Sequence, residues 1–209
     1  MRMVCLNNKM CCIIVTTMET SIKEALASLQ KKTVHNDNLT PAAVIVPIFR
    51  RCNDYHLLFI LRSDHVAHHK GQISFPGGMR SEEDSSLLDT ALRETWEEIG
   101  LEPSDAEVVG ELDDKETTTG FLVSPFVAFI PYPYKFVPSP LEIAEIFDVP
   151  VSALLDGTNF KQTGNIIGGE LSNTDFHYEY NGRIIWGATA SILKQLLDVL
   201  GTISGNRDR

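Results

Sequence analysis

Positive charge is scarce in this chain: 18 lysines and arginines stand against 28 aspartates and glutamates, for a formal charge of −10. Nonspecific binding to nucleic acid or to an anionic membrane needs a basic footprint, so neither partner is expected. Paired cysteines are also missing. Cys5, Cys11, Cys12 and Cys52 show no C-x-x-C spacing of the kind that holds zinc or runs a redox couple, which suits a reducing cytoplasm. Long apolar runs are absent: "MCCIIVTTM" is far too short to cross a bilayer and follows no strong basic stretch. It reads as a weak signal peptide or, in the blander account, as part of an extension ahead of a natural start at Met18. Repeats, low-complexity blocks and long disordered linkers are lacking as well, and "GNRDR" ends in no S-K-L address.

With 209 residues, 43% of them hydrophobic, the chain suits one domain with a full core. "TSIKEALASLQKK" spaces Ile22, Ala25, Leu26 and Leu29 as a short amphipathic helix, followed by the polar linker "TVHNDNLT". "AAVIVPIFR" and "YHLLFILR" flank the turn-forming "RCND" and predict a hairpin. "AEVVGEL" and "FLVSPFVAFI" form a second β region, and "IAEIFDVPVSALL" mixes a short strand with a short helix. Asn181-Gly182 between two alternating runs is a strong hairpin signal, and "ATASILKQLLDVLG" predicts a closing amphipathic helix. Helix, strands, central helix, strands, terminal helix add up to a mixed sheet covered by helices.

The chemistry concentrates in "ALRETWEEIGL", where Glu94, Glu97 and Glu98 crowd onto a helix that should start near Asp84 or Ser85 and stop at Gly100. Like charges three and four apart repel by a few tenths of a kcal/mol per pair, about 0.2–0.5, so a cation is the first suspect. Leu88, Ala91, Leu92, Thr95 and Ile99 gather on one face and the three glutamates on the other. From charge alone that acidic face is a solvated surface. The preceding Pro76-Gly77-Gly78 loop changes the reading, since carboxylates beside an adaptable backbone suit a hard divalent ion and a phosphate group. Arg93, four residues before Glu97, is placed to hold that carboxylate.

"GGMRSEEDSSLLDTALRETWEEIGL" resembles the Nudix box, whose pattern closes on arginine, glutamate, an apolar residue, any residue, two glutamates, any residue, glycine and an apolar residue. Arg93, Glu94, Glu97, Glu98, Gly100 and Leu101 match; Thr95 takes the apolar place. In the first half, strict spacing puts Met79 at the glycine and Ser85 at the glutamate, whereas one inserted residue restores Gly78 and leaves Asp84 as the acid. A lengthened box of this kind resembles the coenzyme A diphosphatase branch of the family, as does "LFILRSDHVAHHKGQISFPGG" upstream. There Arg62, Ser63, Gly71, Phe75, Pro76, Gly77 and Gly78 match the branch signature, while Ile60 replaces a threonine and Ala67 an arginine.

The resemblance implies an α/β/α sandwich with a mixed sheet between helices, spanning residues 41–201 between an extension (1–40) and a short tail (202–209). It implies metal-dependent cleavage of coenzyme A or acyl-coenzyme A to 3′,5′-ADP and 4′-phosphopantetheine or its acyl derivative; the cysteine pattern sets the expected place in the cytoplasm, and a monomer or homodimer is expected. Mg2+ or Mn2+ would be held by Glu94, Glu97 and Glu98 with Gly78. Arg93 would position these acids, and Arg62, Ser63, Lys70, Gly77 and Gly78 would meet the substrate. Glu142 or Glu145 can supply a general base from a neighbouring loop, or be surface acids with no such role. Asp84 suits a helix cap better than a metal ligand. His65, His68 and His69 lack partner cysteines and match Mg2+ poorly, and Thr117, Thr118 and Thr119 either line the pocket or form a polar turn. Two other functions fit the same residues: a Nudix diphosphatase acting on ADP-ribose or another nucleoside diphosphate derivative, and a nucleotide-binding module without catalysis.

Overall fold

The structure, a computed structural model, describes residues 8–64, 71–167 and 170–205, with side chains described for 18–64, 71–162 and 176–203. Its first strand explains most of the architecture. β1 (Thr40–Arg51) has apolar residues on both sides of the pleat, so it must be covered on both faces. Val46 and Ile48 point to one layer and Ala43, Ile45 and Phe49 to the other. β2 (Asp54–Arg62) repeats the pattern: Leu57 and Phe59 join the first layer, Leu58 and Ile60 the second. The expected hairpin between them forms, with Cys52 in the left-handed region at φ 56°.

β3 (Ile73–Ser74) pairs with β2, and β4 (Gly77–Met79) pairs antiparallel with β1. β7 (Phe121–Phe129) runs parallel to β1 and carries β5 (Glu107–Glu111) and β6 (Lys115–Glu116), while β8 (Ile143–Pro150) pairs with β2. These eight strands make one mixed sheet. β9 (Phe160–Ile167), β10 (Glu170–Tyr180) and β11 (Arg183–Ile185) form a second, antiparallel sheet whose β10–β11 turn is the expected Asn181-Gly182.

Helices cover both faces of the mixed sheet. α2 (Leu87–Ile99) packs Leu87, Leu88, Ala91 and Leu92 against Ala43, Ile45, Phe126 and Ala128. On the far face lie α1 (Asn8–Ala27), the short α3 (Val151–Leu155) and α4 (Gly187–Gly205), which bury Ile22, Leu26, Leu154, Leu193, Leu196 and Leu200 in one cluster. This is the α/β/α sandwich that the sequence implied. No helix among the described residues is long and apolar enough to cross a membrane.

Two helix boundaries differ from the sequence expectation. α1 begins farther upstream and stops at Ala27 instead of running to Lys32. The following polar segment is pinned along the β5–β6 edge: Lys31 pairs with Glu111 and Asp114, the Lys32 N–H donates to Asp113, and Val34 N–H donates to Asp114. α2 starts at Leu87 with Ser86 as its N-cap, the Ser86 hydroxyl accepting from Asp89 N–H at 3.1 Å. Asp84 and Ser85 therefore precede the cap. Gly100 ends α2 as expected, in the left-handed conformation at φ 68°.

Candidate active site

Asp84 is buried and collects four hydrogen bonds instead of capping a helix. Arg93 grips it with two parallel donors, Nε to Oδ1 at 2.8 Å and a terminal nitrogen to Oδ2 at 2.9 Å. Ser81 N–H and the Thr90 hydroxyl complete the set, at 2.8 and 2.9 Å. The Arg93 hydrogen bonds, first among several, hold the Asp84 carboxyl well below the usual carboxylate range, and Asp84 in return raises the Arg93 guanidinium above its own. So anchored, Arg93 turns its remaining nitrogen to Glu94 at 2.8 Å and to Glu97 at 3.2 Å, the i,i+4 contact expected from the sequence. One cation thus separates the crowded acids of the helix.

The three glutamates do not share one exposed face. Glu97 is half-exposed, Glu94 is mostly covered, and Glu98 has only 1% of its side chain exposed. Helical geometry explains the correction: Glu98 follows Ala91 by seven residues, about 20° short of two full turns, so it points almost where that core residue points. Its two oxygens are satisfied inside the fold, Oε1 by Arg62 at 2.8 Å and Oε2 by the Gly77 N–H at 2.9 Å. Burial nevertheless pushes the Glu98 carboxyl up to about 7, with the charges of Glu94 and Glu142 adding to the shift against Gly77 and Arg62. Glu94 is raised too, first by burial and then by Glu97 and Glu142, with Arg93 opposing.

The Pro-Gly-Gly loop brings backbone, not side chains, to these acids. Gly77 sits at φ 146°, where a β-carbon would overlap the Ala43 carbonyl across the β1–β4 ladder. A β-carbon on Gly78 would collide with the Glu94 carboxylate. Glycine at both positions lets β4 approach β1 and the Glu94 carboxylate closely, and the Gly77 N–H reaches Glu98.

Glu142 and Glu145, interchangeable in the sequence, separate in space. Glu142 belongs to the turn before β8, tied down by Ser63 N–H to its carbonyl at 2.8 Å, and its charge is felt by both Glu94 and Glu98. Glu145 pairs with Arg183 of β11 at 2.6 Å and is not brought to the helix acids. Lys70, Ala67 and the three histidines of that segment lie outside the described residues. Thr117 and Thr119 close the β6–β7 turn on each other and on Phe121, the polar-turn alternative. Sequence reasoning missed a cavity of about 330 Å3 on the α2 face of the sheet, floored by Leu58 and Ile146 and walled by Phe49, Tyr132 and Phe136. The proline-rich wall segment gave no periodicity to read.

The residue pattern and the fold meet in the comparisons. The NUDIX domain family matches residues 39–159. This chain belongs to the Nudix family. It is 36% identical over 155 residues to the Nudix hydrolase NudL of Yersinia enterocolitica, named there as uncharacterized, covering 74% of this chain and 78% of that one. NudL of Photorhabdus laumondii is 35% identical over 161 residues, 77% of this chain and 85% of its own. Among solved structures, a MutT/Nudix family protein from Enterococcus faecalis superposes with a TM-score of 0.51 at 16% identity, over 88% of this chain and 79% of that one, a likeness of fold alone.

Nudix hydrolases act on nucleoside diphosphate derivatives and use divalent metal ions. The residues here fit such an ion by donor chemistry. Glu94, Glu97, Glu98 and the backbone at Gly78 offer only oxygens, and the buried acids carry mutual repulsion that a cation relieves. Among the described residues these acids do not already converge as a set of three, because Arg93, Arg62 and Gly77 N–H hold them.

Proposed function

We propose that this Nudix hydrolase cleaves the diphosphate bond of coenzyme A or its acyl derivatives, giving 3′,5′-ADP and 4′-phosphopantetheine or the acylated product. One observation carries the reading: residues of the branch-like signature end at the acids of the helix. Arg62 donates to Glu98, Gly77 donates to Glu98, and Gly78 packs against Glu94. The inserted residue of the lengthened box has a physical counterpart, since it makes Asp84 the acid that anchors Arg93.

Glu94, Glu97 and Glu98, with the Gly78 backbone, would hold Mg2+ or Mn2+, which neutralises the diphosphate and polarises its phosphoryl oxygens when bound. Arg93 keeps Glu94 and Glu97 apart and oriented. Glu142 is the better placed of the two candidate bases, because its charge reaches Glu94 and Glu98 whereas Glu145 is engaged by Arg183. It accepts a proton from the attacking water as the P–O–P bridge breaks, leaving two phosphate monoesters.

Ala67, where the signature carries an arginine, favours a second reading with the same chemistry and another substrate, such as ADP-ribose. Measuring kcat/KM for coenzyme A, ADP-ribose and a set of dNTPs at equal Mg2+ and Mn2+ tests the choice. Coenzyme A is expected to lead; preference for any of the others rejects the assignment.

A further inference from the structure

The upstream Arg62-Ser63 pair reads in the sequence as a substrate contact, yet both residues are engaged inside the protein. The Arg62 side chain, 23% exposed, donates to Glu98 Oε1 at 2.8 Å, and its Nε is buried. Its main chain is gripped as firmly. Arg62 N–H donates to the Gln72 carbonyl at 3.0 Å, its carbonyl accepts from Gly71 N–H at 3.2 Å, and it stands in register with Ile143 of β8. Ser63 N–H then donates to the Glu142 carbonyl at 2.8 Å. The same turn is tied to the helix from the other side, where Ser139 N–H donates to the Glu98 carbonyl at 2.8 Å.

These contacts close a ring: Glu98 to Arg62, Arg62 through Ser63 to Glu142, and the Glu142 turn through Ser139 back to Glu98. Were Arg62 to swing to a phosphate, it would strand a carboxylate with 1% exposure against a single backbone N–H. We propose that Arg62 is a positioning residue for Glu98, and that Arg62-Ser63 is a strut setting the spacing between the helix acids and Glu142, not a phosphate-binding pair. The proposal rests on Glu98 belonging to the cation site; it does not depend on which diphosphate is cleaved. Recognition of the substrate end falls to other residues.

The test compares Arg62→Met, which removes the charge at similar volume, with Arg62→Lys, which keeps the charge. Mn2+ is titrated into each free protein by electron paramagnetic resonance, and kcat and KM are measured with whichever diphosphate the unaltered enzyme cleaves. Loss of an outer partner of a metal ligand weakens metal affinity or activity by about 10–100-fold. For Arg62→Met we expect a fall of that order in Mn2+ affinity and in kcat, KM within about threefold, and a partial deficit in Arg62→Lys. A KM raised about tenfold or more, with Mn2+ affinity and kcat unchanged, would overturn the strut and make Arg62 a phosphate contact. If Arg62→Met does not fold, Arg62→Lys decides by the same split. Cleavage of ADP-ribose in place of coenzyme A defeats the substrate reading and leaves this test intact.

Discussion

Glu97 and Glu98 are neighbours in the chain and occupy opposite environments: one is half-exposed and paired with Arg93, the other enclosed and doubly hydrogen-bonded. Glu97→Gln should therefore leave the melting temperature within about 2 °C while lowering metal-dependent kcat on the order of 100-fold or more, since outer partners alone are worth 10–100-fold. Retained activity in a steady-state assay would remove Glu97 from the cation site. Asp84→Asn should act on stability first. Breaking a buried ion pair costs about 3–5 kcal/mol, and here about 2–3 because Arg93 is partly solvated and keeps Glu94 and Glu97. Asp84 has a folded pKa below its unfolded one, so its contribution is complete above the unfolded value of about 3.9 and fades as pH falls toward the folded one. Thermal melts should show the unaltered protein losing stability below about pH 4 more steeply than Asp84→Asn. At this scale the site was readable as a set of residues but not as environments. The seven-residue step from Ala91 to Glu98 was the available sign that one glutamate lies under the helix. The Asp84 anchor left no such sign, because a short acid before a helix reads equally as a cap.

Between elements, α1 and the segment after it behave as part of the sandwich. Ile22 and Leu26 have 1% and 2% exposure, and Leu26 sits against Gly110 of β5 so closely that a β-carbon there would lie 2.7 Å from it. Leu26→Ala should cost about 2–4 kcal/mol in urea unfolding, the range for truncating a buried leucine. A loss under about 0.5 kcal/mol would mean that the helix is not held as described. The long elements were legible since their patterns are strong: two doubly apolar strands, an Asn-Gly hairpin, a glycine-stopped helix. β3, β4 and β6 are two or three residues long, below any period, and "FKQTGNII" of β9 is polar with an interior glycine. The end of α1 was misplaced since the Lys31 ion pairs and the Lys32 N–H bond to Asp113, which tie this segment to β5 and the loop after it, are invisible along the chain.

For the molecule as a whole, a net charge of −10 and a cluster of acids at the candidate site oppose any diphosphate. Chelation should accordingly abolish turnover and also weaken equilibrium binding of coenzyme A beyond detection at millimolar protein, with both restored by Mg2+ or Mn2+. The fold class and family were available from the sequence because the box and its glycine loop are local; the substrate was not, because the segment around Ala67 departs from its signature. The decisive measurement is product analysis by chromatography after incubating the protein with coenzyme A and a divalent cation. Equimolar 3′,5′-ADP and 4′-phosphopantetheine are expected, absent with chelator and with Glu97→Gln. Intact coenzyme A alongside cleaved ADP-ribose under the same conditions would contradict it.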